Sequence, residues 1–145
     1  MFDDNVEMEQ KIIDTLKGTN MFKVVEPYQG DMELFIKSDR RMPAALLIYA
    51  GCKSEGVSRG SASISGHVQY VWTIKIIGKN LKGRSAQSED VKPLLNAARN
   101  ALNGLTLEGR TLYFEEEEVS QILPSGEYVY EQSYRYDGYY TAVRQ

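Results

Sequence analysis

From His67 to Lys79 the chain alternates between apolar and polar residues. Val68, Tyr70, Trp72, Ile74 and Ile76 fall on one face of an extended segment, and Gln69, Thr73 and Lys75 on the other. A strand of this kind buries one face and needs a layer to cover it. The fold therefore has to supply a sheet and something packed on it.

Two segments offer that cover. Asp4 to Gly18 reads as a helix, with Asp4 and Glu7 in a capping-box pattern, Val6, Ile12, Ile13 and Leu16 on one face, and Gly18 after its end. A second helix is predicted to begin near Asp90, because Pro93 suits a first turn. Val91, Leu94, Leu95, Ala98 and Leu102 form its core stripe, and Gly104 ends it. Gly78 to Gln87 reads as a polar connection.

Further strands follow from shorter signals. Phe22 to Glu26 is β-prone and stops at Pro27, and Ala44 to Ala50 is a continuous apolar run after Pro43. Between them, Gly30 to Ser38 has room for one or two helical turns. Thr111 to Leu123 and Glu127 to Tyr136 flank the turn signal Pro124-Ser125-Gly126 and read as a hairpin. The Gly- and Ser-rich stretch from Gly51 to Gly66 has almost no hydrophobic pattern and reads as a loop, mobile unless a neighbour holds it. The expected fold is α+β: a mostly antiparallel sheet of about four to five strands with two main helices packed on one face.

The 145 residues, 42% hydrophobic and 26% charged, suit a single domain, 1–145, with one core. A net charge of −3 without a basic cluster argues against phosphate-driven nucleic-acid binding. Cys52 is the one cysteine, so an intrachain disulfide and a multi-cysteine metal site are excluded. The acidic start Met1-Phe2-Asp3-Asp4 is unlike a signal peptide, and no apolar run is long enough for a membrane helix. These features lead to the expectation of a soluble, unexported protein of a reducing compartment.

Catalytic patterns are missing from the sequence. His67 is the one histidine and reads as a surface residue at a strand start. Cys52 lacks a nearby basic group with the right pattern to activate it, and reads as a small residue at a strand end. Gly56-Val57-Ser58-Arg59-Gly60 lacks the Lys-Ser/Thr ending of a phosphate loop. The acidic run Glu115 to Glu118 offers only two carboxylates per strand face, Glu116 with Glu118 and Glu115 with Glu117, which is a poor cation site. The expectation is a protein that is not an enzyme and takes no cofactor and no metal. Tyr128, Tyr130, Tyr134 and Tyr136 share one strand face. Those rings either cover the sheet or form a subunit interface, and one face can do both. Val57 and Arg59 join them as candidate interface residues.

Several motifs occur together in one order. They are Val25-Glu26-Pro27-Tyr28 with Gly30, the run Pro43-Ala44-Ala45-Leu46-Leu47-Ile48-Tyr49-Ala50-Gly51, Trp72 before Asn80, and Leu94-Leu95 with Arg99, Leu102 and Gly104. This set resembles the Gp37 family of Mu-like phages, which is related in fold to phage tail terminators. Tyr130 to Tyr136 matches its closing strand loosely. The chain departs from the family pattern at Leu81-Lys82 after Asn80 and in the acidic run. The resemblance implies a structural subunit, without reaction or cofactor, that forms a hexameric ring. It would cap the tail tube and meet the head–tail connector, in the host cytoplasm during assembly and then in the virion. Within such a ring, Glu116 and Glu118 are candidates to line the lumen. The competing expectation is a small-ligand-binding α+β protein or minor enzyme that uses the 52–67 loop as a lid.

Overall fold

The computed structural model describes residues 4–30, 32–37, 42–59, 63–80, 84–107 and 109–143. Helices α1 (Asp4–Gly18), α2 (Met32–Ile36) and α3 (Arg84–Leu102) accompany strands β1 (Val24–Pro27), β2 (Ala44–Arg59), β3 (Ser63–Lys79), β4 (Thr106–Leu107), β5 (Arg110–Ile122) and β6 (Glu127–Val143). The strands form one six-stranded sheet in the order β1-β2-β3-β6-β5-β4. The class is α+β, as expected. The sheet, however, is mixed and has six strands rather than four to five. β1 runs parallel to β2, from Val24 opposite Ala44 to Pro27 opposite Leu47. Parallel neighbours need a crossover connection, and the segment carrying α2 supplies it. The sixth strand, β4, is a two-residue edge that turns back onto β5 through Gly109 (φ 76°).

One face of the sheet carries the main core. Met8, Ile12, Ile13 and Leu16 of α1 and Val91, Leu94, Leu95, Ala98 and Leu102 of α3 pack there on Trp72, Ile74, Ile76, Tyr134 and Tyr136. Both main helices thus cover the face that the His67–Lys79 alternation presents to them. Val6 is not part of the apolar face; it is 61% exposed, and Met8 takes the buried place. α2 lies on the opposite face, where Phe35 packs with Ala44, Leu46, Ile77 and Val129.

Three expectations about element bounds fail. α3 starts at Arg84 rather than near Asp90, which places Pro93 well inside it. Proline there removes a bond to the carbonyl of Glu89, but both residues are exposed, so water can take over that carbonyl. The Gly51–Gly66 segment is not a loop. Residues 51–59 and 63–66 are strand, with only 60–62 between them outside the described residues. β2 pairs with β3 out to Arg59 opposite Ile64, and β3 pairs with β6 out to Ser63 opposite Val143. The last strand likewise continues through Asp137-Gly138-Tyr139-Tyr140, past the end expected at Tyr136.

A three-stranded arm results, built from the far halves of β2 and β6 and the near half of β3. It runs beyond the stretch covered by α1 and α3. Gly51 (φ 124°) stands where β2 enters the arm, at a register shift between Tyr49 and Gly51, in a conformation that side chains rarely adopt.

Candidate assembly surface

The four tyrosines expected at an interface belong mostly to the core. Tyr128, Tyr134 and Tyr136 have no exposed surface, and Tyr130 is half-buried. Their strand face is the one that the helices cover, so the sheet-covering reading holds and the interface reading of Tyr128, Tyr134 and Tyr136 is corrected. The rings also make specific contacts. Tyr128 donates to Asp90 Oδ2 at 2.5 Å, across from α3. Its ring lies over Gly78, where a Cβ would stand 2.1 Å from the phenolic oxygen. Burial, with Asp90 adding to it, pushes the Tyr128 hydroxyl far above the ordinary tyrosine range. Burial does the same to Tyr134, against the opposing pull of Arg99 and with Glu117 adding to it.

The acidic run divides in a way that its four identical letters conceal. A register shift between Phe114 and Glu116 leaves Glu115 in a bulge. Glu117 then turns toward the helices. It accepts from Arg99 Nη1 at 2.9 Å and from Gln132 Nε2 at 2.8 Å. Gln132 is fully buried and also donates to the Leu95 carbonyl at 2.9 Å, while Tyr134 donates to its Oε1 at 2.8 Å. Arg99 further bonds Asn96 and lies 5.6 Å from the Phe114 ring centre. The expected pairing of Glu115 with Glu117 on one face is therefore corrected: Glu117 is a structural anchor between β5 and α3. Sequence reading missed this network, although Gln132, the one polar residue between Tyr130 and Tyr134 on the tyrosine face, was a visible sign of it, as was Arg99 in the α3 motif.

Glu116 and Glu118 lie on the other face, exposed, opposite Ser133 and Glu131 respectively. That face, away from α1 and α3, is polar over its centre. Thr73 and Ser133 hydroxyls approach to 3.4 Å, Lys75 pairs with Glu131, and Arg135 Nε stands 3.9 Å from Asp137 Oδ1. Glu118 directly opposite Glu131 is a like-charge cross-strand pair, which costs stability. Tyr113, 47% exposed, sits on the same face opposite Arg135.

Val57 stands opposite Gly66 and Arg59 opposite Ile64, both in the arm; their side chains lie outside the described residues. His67 and Cys52 are exposed. Residues 52–59 are ladder-bonded to β3 and residues 63–67 to both β2 and β6, so these described parts of the expected lid are sheet. The clefts that line the body are open, such as one of about 620 Å³ bordered by Met42, Pro43, Asp90 and Tyr128. Among the described residues, no three His, Cys, Asp or Glu side chains are grouped to hold a metal ion, and no helix is long and apolar enough to cross a membrane.

No protein-family model matches the chain, and no curated protein does. Among solved structures it is similar to a chain of the virion of a native gene transfer agent particle. That match has 13% identity and a TM-score of 0.49, over 91% of this chain and 90% of the other. A likeness this loose assigns no role, and the Gp37-like reading stands on its motifs alone.

Proposed function

We propose that this chain is a structural subunit of a phage-type tail, of the tail-terminator kind, which acts by assembling into a ring of identical copies. In this reading it is not an enzyme. Its partners are further copies, the tail tube protein and the head–tail connector. The observation that carries the reading is the polarity of the two sheet faces. α1 and α3 bury one face; the other, which α2 covers over Ala44, Leu46, Ile77 and Val129, is the face this reading turns to the channel beyond α2. Along β2, β3, β5 and β6 that face holds Glu116, Glu118, Glu127, Glu131 and Asp137 against Lys53, Lys75, Lys79 and Arg135; Glu127, Glu131 and Asp137 each face a basic partner, and Glu116 and Glu118 carry the excess negative charge.

An acidic face suits a conduit for DNA. Carboxylates repel phosphates, whereas a lysine-lined wall would grip them through counterion release. Repulsion across a wide, wet channel is screened beyond about 8 Å at physiological salt, so the ring tolerates its own charge. The Glu118–Glu131 juxtaposition, which the isolated fold would do better without, fits a surface kept for passage rather than stability.

The test replaces Glu116 and Glu118 with lysine and follows particle assembly and DNA ejection. Normal assembly with slowed ejection is the expected result. Normal assembly with normal ejection refutes the lumen role, and failed assembly moves these residues to a subunit contact. Light scattering of the wild-type protein with tube protein tests the ring itself; a strict monomer at high concentration refutes it.

A further inference from the structure

We propose that neighbouring copies join edge to edge, the outer edge of β2 from Ile48 to Lys53 in one copy pairing antiparallel with the outer edge of β5 from Glu116 to Gln121 in the next. This deepens the ring reading and rests on it. The occupant of each edge is a second copy of this chain.

The first ground is which edges stand open. β1 pairs with β2 only from Ala44 to Leu47, where the Tyr28 amide donates to the Leu47 carbonyl. β4 pairs with β5 only at Arg110 and Thr111. The chain before β4 reaches on to Leu112, through Gly104 and Leu105, and to the Phe114 amide, through Asn103 Oδ1 at 3.0 Å. Among the described residues, no strand pairs with the outer edge of β2 from Ile48 to Arg59 or of β5 from Glu115 to Ile122. Bare edges of this length invite a partner. From Glu115 to Ile122 every residue but Glu117 is exposed. Large apolar side chains stand exposed on both stretches: Tyr49 at 41%, Val119 at 49% and Ile122 at 39%. All three lie on the face that carries α1 and α3, since they are opposite Trp72, Tyr130 and Tyr128.

The second ground is direction and stagger. β2 is antiparallel to β3, β3 to β6 and β6 to β5, so β5 runs against β2. Rotation about the axis of a ring keeps both directions. Copies then meet in the same antiparallel ladder that joins β2, β3, β6 and β5 within each copy. Each copy offers β2 to one neighbour and β5 to the other, whereas a two-fold dimer would pair an edge with itself. The two bare stretches are not level. Lys53 is level with Gln69 and Asp137, and Glu116 with Ser133, four residues away along β6. Four residues over four strands is one residue per strand, the shear of a closed barrel whose strands tilt by about 36°.

The third ground is how the side chains meet. With that stagger, Lys53 stands opposite Glu116, Cys52 opposite Glu117, Gly51 opposite Glu118 and Tyr49 opposite Val119, with Ala50 in its bulge. The faces match at each pair. Lys53 and Glu116 share the open face, being opposite Gln69 and Ser133, and Tyr49 and Val119 share the helix face. Tyr49, whose ring centre lies 5.1 Å from that of Trp72, then packs on Val119, an aromatic and β-branched cross-strand pair. Lys53 is exposed and gains an opposite charge. An exposed ion pair contributes little, so it sets the register while the ladder and the apolar contact hold the seam. Lysine at 116 and 118 therefore does not by itself abolish assembly. Toward the end of the arm, β2 parts from the seam at the Glu55 bulge, where the chain from Asn103 to Leu107 takes over the β5 edge.

The experiment uses the full chain with Cys52→Ser to remove the native thiol. Lys53→Cys and Glu116→Cys are placed in the same chain, which is assembled with tube protein, oxidised and run on a denaturing gel. A ladder of covalent multimers is expected, with dimers alone from a mixture of the two single variants. Bonding within either single-variant sample shows a two-fold seam and overturns the proposal. Rings of normal size without the 53–116 bond, or a bond from position 53 to Glu118→Cys in its place, overturn the seam while leaving the ring reading intact. A wild-type chain that stays monomeric with tube protein overturns both. A second pair of variants reads the seam without added cysteines, and decides the matter if the double-cysteine chain does not assemble. Val119→Asn should raise the concentration for half-assembly by about tenfold and leave the urea midpoint of the free chain nearly unchanged. Val6→Asn, at a residue 61% exposed on α1 and away from the seam, should change neither. Assembly that withstands Val119→Asn, or equal losses from the two variants, overturns the seam.

Discussion

Glu117→Ala should destabilise the fold while Glu116→Ala and Glu118→Ala leave it almost unchanged. The Glu117 carboxylate accepts from the fully buried Gln132 amide at 2.8 Å and from Arg99 at 2.9 Å. A hydrogen bond to a charged group contributes about 1.5–3 kcal/mol. The Arg99 pair adds less, because its side chains are 33% and 24% exposed and such pairs are worth up to about 1 kcal/mol. Gln132 keeps its bond to the Leu95 carbonyl and Arg99 its bond to Asn96, which limits the loss. The expected cost is about 2–3 kcal/mol. Glu116 and Glu118 are exposed, and their removal should stay within about 0.5 kcal/mol, with Glu118→Ala leaning toward stabilisation through relief of Glu131. Urea unfolding followed by the emission of Trp72 reads all three. With a slope of about 2 kcal/mol per molar, the Glu117→Ala midpoint drops by roughly 1–1.5 M and the slope holds. Glu117→Gln keeps an acceptor for Gln132 and should lose less than half as much. Equal costs at positions 116, 117 and 118 would refute both the facing of the strand and the network.

Gly78→Ala forces the Tyr128 ring off its seat and breaks its bond to Asp90, an expected loss of about 2–4 kcal/mol in thermal or urea unfolding. Gly18→Ala, with nothing within 4 Å, is the matched control and should be near neutral. Tyr128 and Tyr134 hold their protons in the fold beyond the ordinary tyrosine value, so the unfolded chain releases protons first as pH rises. Their contribution is complete below about pH 10 and lost above it, and unfolding midpoints should fall steeply there. The Ser125 hydroxyl, with smaller help from Lys79 and against the cost of burial, holds the Glu127 carboxyl below the usual range. That stability is present above about pH 4.3 and is lost as pH falls through the lower folded value; Ser125→Ala should flatten this acid dependence.

Local patterns made some of the fold legible. Bounds of α1, the β3 alternation, the β5–β6 hairpin and the Gly104 stop follow from residues whose meaning is local. Wherever one face is buried against helices, alternation or a helical stripe appears in the sequence. Among the described residues no helix packs over residues 51–59 and 63–66, so these stretches carry almost no hydrophobic alternation and read as loop although register pins them. Pro93 misled because the exposure of Glu89 cannot be seen in sequence. For the candidate surface, the side-by-side positions of Glu116 and Glu118 were readable from period two, but the bulge at Glu115 and the inward turn of Glu117 depend on partners far along the chain. The tyrosine stripe was visible; which side the helices take was not.

The ladder between β3 and β6 also sets an order of folding. Lys79 pairs with Glu127 near the helices, and Ser63 with Val143 at the arm's far end. Chain separation between partners therefore grows outward from the body, and each further pair closes a longer loop with less packing to offset it. The body forms first and the arm zips afterward; in hydrogen exchange the arm's amides open at lower free energy than those beneath α1 and α3. A newly made copy thus completes its bare strand edges only after its core is closed, which shortens the time in which an unfinished chain can offer them to the wrong neighbour.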